Sequence, residues 1–136
     1  MANEAQDKTD KEKAAIEDYL AAMKKQRGYL QPSMVFAANH DLDFLKAYDR
    51  LYNASLSAGD AFPPKYRELV AAGILAFKGF DPGVHEHLKR AIKLGATKQE
   101  AFEAMEATIA VGGWPTFGSG LRALIKIEED EKKENP

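Results

Sequence analysis

Apolar residues along this chain recur every three to four positions, and no segment sustains an alternation of period two. That pattern predicts helices throughout, because a helix returns its side chains to one face about every 3.6 residues. The first is expected from about Asp10 to Arg27, turning Ile16, Leu20 and Met23 inward and stopping at Gly28. Pro32 and Ser33 open a short element that ends near Asn39. From Asp41 a stronger stripe follows, with Phe44, Leu45, Tyr48, Leu51, Tyr52 and Ser55 on one side and Ala58-Gly59 as terminator. Pro64 suits the first turn of the next helix, which is expected to bury Tyr66, Leu69, Val70, Gly73, Ile74 and Phe77 before breaking at Gly79.

Asp81-Pro82 reads as the following helix start, with an N-cap side chain and a proline at N1, and Val84, Leu88, Ala91 and Ile92 face inward as far as Gly95. Thr97-Lys98-Gln99-Glu100 has the form of a capping box and leads into Phe102, Met105 and Ile109. Gly112-Gly113 breaks that helix, and Pro115 begins the last one with Phe117, Leu121, Leu124 and Ile125. The expected fold is all-α, a single-domain bundle of about six to seven helices over residues 1–136. Residues 1–9 and 128–136 are polar and charged, and are expected to be flexible tails.

Composition narrows the function more than the fold. A chain of 136 residues can bury a core without disulfides or structural metal. Its net charge of -2 leaves no electrostatic footprint for nucleic acid. No apolar run approaches a membrane span, and the polar start Met1-Ala2-Asn3-Glu4 has no signal-peptide core behind it, so a cytoplasmic protein is expected. There is no cysteine, so thiol chemistry is excluded. Nor is there a glycine-rich nucleotide loop or a Gly-x-Ser-x-Gly elbow.

Two residues stand out as candidate chemistry. Glu68 and His87 are separated by eighteen residues inside a helix–turn–helix from Pro64 to Gly95. By position alone His87, near the apolar arc of its helix, reads as a core histidine held by one hydrogen bond. Glu68 lies opposite the Tyr66, Leu69, Val70 and Gly73 stripe, so it should be exposed unless a neighbouring element covers it. His85 and His87 are two positions apart, diverging by about 200° on a helix, and cannot share a metal ion; no metal site is expected.

The arrangement resembles the carboxymuconolactone decarboxylase / alkyl hydroperoxidase D superfamily. The resemblance rests on Lys65-Tyr66-Arg67-Glu68-Leu69, on His87-Leu88-Lys89-Arg90-Ala91, on Leu94-Gly95-Ala96-Thr97, on the break Gly112-Gly113-Trp114-Pro115, and on Leu121-Arg122-Ala123-Leu124. It runs over roughly residues 40 to 127. In the redox branch a Cys-x-x-Cys lies between the glutamate and the histidine; here those positions hold Phe80 and Gly83. The resemblance therefore implies the cysteine-free, decarboxylase-like branch and argues against a thiol peroxidase.

Several further expectations come with it. The subunit is expected to form a homo-oligomer, commonly a trimer or hexamer, and to act on a small-molecule substrate without a cofactor. His87 and Glu68 become an acid–base pair, with the carboxylate orienting the imidazole. Arginines can hold a substrate carboxylate through a bidentate fork. Among Arg67, Arg90 and Arg122, the first and last lie in the matched segments. Phe80, Gly83 and Trp114 are candidates to shape the pocket. The implied reaction is decarboxylation of 4-carboxymuconolactone or a related unsaturated lactone acid in aromatic-compound catabolism. An isomerase or other lyase on a similar acid, or a non-catalytic binding protein on the same scaffold, are the alternatives.

Overall fold

The computed structural model describes residues 2–57 and 59–136, with side chains from residue 9 onward. Seven helices account for nearly all of it: α1 (Ala2–Arg27), α2 (Pro32–His40), α3 (Leu42–Ser57), α4 (Pro64–Phe77), α5 (Asp81–Lys93), α6 (Lys98–Glu106) and α7 (Ile109–Glu134). Among the described residues there is no strand, and no helix is long and apolar enough to cross a membrane. The fold is all-α.

Its contacts fall into two compact units, Met1–Asn53 and Ala54–Pro136. In the first, Leu20 and Met23 of α1 pack with Met34 and Ala38 of α2 and Leu45 of α3. A buried ion pair joins α1 to α3, where Arg27 Nη2 lies 2.5 Å from Asp49 Oδ1 and the guanidinium covers the Tyr52 ring at 3.8 Å. The Tyr19 hydroxyl donates to Asp49 at 2.9 Å, and burial together with that carboxylate pushes its pKa up to about 12.

The second unit packs α4 on α5, α5 on α7, and α6 on α7. Leu69, Ala72, Val84, Leu88, Met105 and Phe117 form its centre. The turn between α4 and α5 is a Schellman closure. Phe80 N–H donates to the Leu75 carbonyl and Gly79 N–H to that of Ala76, with Gly79 at φ 72°. A residue with a Cβ would be strained there. This tight reversal is what lays α5 antiparallel on α4.

Several expectations need correction. Helix α1 starts at Ala2 rather than near Asp10, so the backbone of the expected N-terminal tail is helical; Met1 and the side chains through Lys8 lie outside the described residues, as does Ala58. The C-terminal tail is also helical as far as Glu134, and Lys98 reaches across to Glu131 at 2.5 Å. Asp81 is not an N-cap: Phe80 occupies that position, and the Asp81 carboxylate turns to α7 instead. The break expected at Gly112-Gly113 is a kink inside α7, with Gly113 at φ 77° and Pro115 just beyond it. Proline needs no N–H in the first turn of the longer segment that follows, which makes the kink the place where it fits.

The largest correction concerns α4. Its apolar stripe is not buried: Val70, Ile74 and Phe77 are 52%, 57% and 70% exposed. The opposite face, carrying Glu68, is the one that packs on α5. Tyr66 and Gly73 are half-buried and only Leu69 of the expected stripe is buried.

Candidate functional site

Glu68 sits in the second turn of α4 and His87 midway along α5, and the Gly79 turn brings the two helices face to face. His87 Nδ1 lies 2.6 Å from Glu68 Oε2. A ring nitrogen that close to a carboxylate oxygen must carry a hydrogen, so Nδ1–H is the donor. Arg90, three residues beyond His87 on the same face of α5, places Nε 3.2 Å from Glu68 Oε1. The carboxylate is thus held at both oxygens by charged or polar groups from one neighbouring helix. Glu68 is 1% exposed and His87 7%. A charge so buried requires such partners, since an unpaired carboxylate out of water would be costly. The expectation that Glu68 is exposed fails because α5 covers it.

The remaining candidates divide. Arg67 is directed away from the pair: its Nε donates to the Phe62 carbonyl at 2.9 Å and its Nη1 to the Ser55 carbonyl at 2.8 Å, tying down the loop before α4. Arg122 is on the surface of α7, where its Nε donates to Asp81 Oδ2 at 2.8 Å. The buried Ser119 hydroxyl donates to the other Asp81 oxygen. The Arg122 guanidinium and the Ser119 hydroxyl hold the Asp81 carboxyl below its usual range. Together these bonds fix the N-terminus of α5 to α7.

Phe80 and Gly83 flank Asp81 at that same helix start. A Cβ on Gly83 would fall 2.6 Å from the Phe80 ring and 2.8 Å from Leu75, so the phenylalanine occupies the room that a side chain at 83 would need. Trp114 is 65% exposed and meets Phe117 edge-on at 5.4 Å. Its Nε1 and Arg122 Nη1 both come within 4 Å of where a Gly118 Cβ would stand. Phe80, Gly83, Trp114 and Arg122 are therefore gathered around the start of α5. Glu68, His87 and Arg90 lie farther along, about 9 Å by the helical rise from Asp81 to His87. His85 and His87 diverge as expected: the first faces Glu86 and Asp130, the second Glu68.

Sequence reasoning favoured Arg67 over Arg90, gave Asp81 only a helix-capping role, and did not single out Ser119. The i, i+3 spacing of His87 and Arg90 was the available signal. A groove of about 640 Å³ opens on the other side of α4, lined by Phe62, Val70, Ile74, Phe77 and Val111 among others; neither Glu68 nor His87 lines it.

Comparison with known proteins agrees with this architecture. A protein of Methanocaldococcus jannaschii, uncharacterized protein MJ0742, is 28% identical over 76 residues, which cover 55% of this chain and 73% of that one. The crystal structure of a candidate carboxymuconolactone decarboxylase from Burkholderia xenovorans LB400 superposes with a TM-score of 0.73 at 22% identity, covering 92% of this chain and 99% of the other. At that identity the likeness speaks for the fold alone. The profile of the carboxymuconolactone decarboxylase family matches residues 43–126, a span that holds the α4–α5 hairpin with Glu68, His87 and Arg90, and the chain belongs to that family.

Proposed function

We propose that this protein is a cofactor-free lyase that decarboxylates a small unsaturated lactone acid of the 4-carboxymuconolactone type, as a cytoplasmic homo-oligomer in aromatic-compound catabolism. The observation that carries the proposal is the buried Glu68–His87 pair, 2.6 Å apart, with Arg90 on the second carboxylate oxygen. In the reaction the bond between the ring carbon and its carboxylate breaks, and carbon dioxide leaves. The released electron pair moves through the ring double bond into the lactone carbonyl as a dienolate. A proton must then be returned to carbon, which is the role given to His87 Nε2; water restores the proton to the imidazole. Glu68 fixes the tautomer and balances the imidazolium, as a carboxylate behind a catalytic histidine does. Arg122 is the arginine given the substrate carboxylate, with Trp114 and Phe80 as apolar walls beside it. In the free protein Asp81 holds that guanidinium in place.

The test is carbon dioxide release from 4-carboxymuconolactone by the purified protein and by His87→Ala, with a thermal melt of each. Release by the wild type and its loss in a folded variant would support the assignment. Product formed without carbon dioxide would point to an isomerase.

A second reading has its own observation: the pair is nearly sealed from water and does not line the large groove. On that reading Glu68, His87 and Arg90 are a structural lock in a non-catalytic binding protein. A wild type with no turnover, together with a marked loss of melting temperature in His87→Ala, would select it.

A further inference from the structure

Trp114, Gly118 and Arg122 stand four residues apart on α7 and so share one face of the helix. The glycine is buried, while the two large side chains on either side of it are mostly exposed. Asp81 takes one edge of the Arg122 guanidinium, with Nε at 2.8 Å and Nη2 at 3.3 Å, and leaves Nη1 on the other edge. The Trp114 ring meets Phe117 edge-on, and its Nε1–H has no acceptor among the described residues. Both remaining donors approach one point. A Cβ on Gly118 would stand 3.6 Å from Arg122 Nη1 and 3.8 Å from Trp114 Nε1, which is ordinary contact distance. The missing side chain thus leaves a notch for about one heavy atom between two N–H groups.

We propose that this notch is a carboxylate subsite, in which an oxygen of the acid seats over Gly118 while the carboxylate accepts from Trp114 Nε1–H and Arg122 Nη1–H together. This rests on the reading of Arg122 as the holder of a substrate carboxylate, and adds to it the second donor and the space. Two donors, one of them charged, suit an anion better than a neutral group, because hydrogen bonds between ionised partners are the stronger ones. A carboxylate carries two oxygens on one carbon and can meet both donors. The side chains are exposed enough to move the roughly half an ångström that brings them to hydrogen-bond length. The Trp114 and Phe80 rings flank the start of α5, which suits the apolar body of an unsaturated acid. Gly118 is then a specificity-determining residue, since any side chain there occupies the place of the oxygen.

The chain has a single tryptophan, so its indole N–H gives a single resonance in a proton–nitrogen correlation spectrum. The probe is muconolactone, an unsaturated lactone with an acetate arm, titrated into the full chain beside its methyl ester, which has the same body without the charge. The indole proton should move downfield with the acid and stay in place with the ester. Trp114→Phe keeps an aromatic ring but loses the donor, and should weaken binding of the acid about tenfold by calorimetry. Gly118→Ala fills the notch with a methyl group at ordinary contact distance, so its helical circular dichroism and melt should match or exceed the wild type. It should nevertheless weaken the acid at least about tenfold and leave the indole resonance unmoved. Wild-type affinity in folded Gly118→Ala, an equal response to the ester, or an indole that stays still under excess acid would each overturn the inference. Carbon dioxide release with a still indole removes the subsite and leaves the reaction standing; a moving indole without carbon dioxide release does the reverse.

Discussion

Replacing Glu68 by glutamine keeps the shape of the side chain and removes its charge. The residue is 1% exposed and its two oxygens face His87 and Arg90, so the variant removes the carboxylate charge that Arg90 faces in a site where that side chain is 16% exposed. Removing one member of a buried ion pair costs about 3–5 kcal/mol. Two features of the structure put this case just below that range, at about 2–3 kcal/mol: Arg90 keeps some solvent, and the glutamine carbonyl can still accept from His87 Nδ1. For a chain of this length that corresponds to a fall in melting temperature of about 8–10 °C. Thermal melts followed by circular dichroism at neutral pH would measure it, with urea titrations at fixed slope as the check. The companion variant is Glu68→Gln/Arg90→Met, which removes the guanidinium as well. It should be less destabilised than the sum of the single variants, with a coupling of about 1–3 kcal/mol. A fall below about 3 °C for Glu68→Gln, or strictly additive losses, would refute the account of Glu68 as the buried centre of a coupled network.

Other parts of the fold make separate predictions. Gly120→Ala places a methyl group 2.7 Å from Met105 Cβ, and should cost about 1–2 kcal/mol in chemical denaturation despite the better helix propensity of alanine; a more stable variant would show that α6 and α7 can separate freely. Thr97→Ala removes the hydroxyl that accepts from Glu100 N–H at 2.9 Å, and should lower stability by about 1 kcal/mol, read as a shift in the urea midpoint. The Asp81 carboxyl is held below its ordinary value, so the unfolded chain takes up the proton first as pH falls. Its stabilising contribution is present above the unfolded value near 3.8 and is lost below it. Asp81→Asn should therefore be less stable than the wild type at neutral pH, with the gap narrowing as melts are run from about pH 5 to about pH 2; a constant gap would contradict this.

Helix positions were legible in the sequence because glycine, proline and the Thr97 capping box punctuate it. The pairing of Glu68 with His87 was legible only through the resemblance. Periodicity could not have provided it, because Glu68 stands on the polar side of its helix. That same limit explains the inverted face of α4. An apolar stripe shows which side of a helix is apolar, but not whether a neighbouring element of the same chain covers it; Val70, Ile74 and Phe77 are all more than half exposed. The roles of Arg67 and Arg90 were hidden for a different reason. Long side chains choose partners by reach: Arg67 bends back to loop carbonyls, while Arg90 extends to a carboxylate on the adjacent helix. The helical ends beyond Asp10 and Glu128 were missed because charged residues at helical spacing carry no apolar signal, although they form helix readily.

The contact between Phe80 and Gly83 also constrains how this chain can change. A side chain larger than hydrogen at position 83 collides with the phenylalanine ring, so the two sites are not independent in any mutational path. Exchange at 80 for a smaller residue removes the ring contacts first, after which only the Leu75 methyl at 2.8 Å must give way to a side chain at 83, whereas the reverse order passes through a more overpacked intermediate. A lineage moving between this arrangement and one with two small thiols at these places would thus find one order of steps passable and the other obstructed.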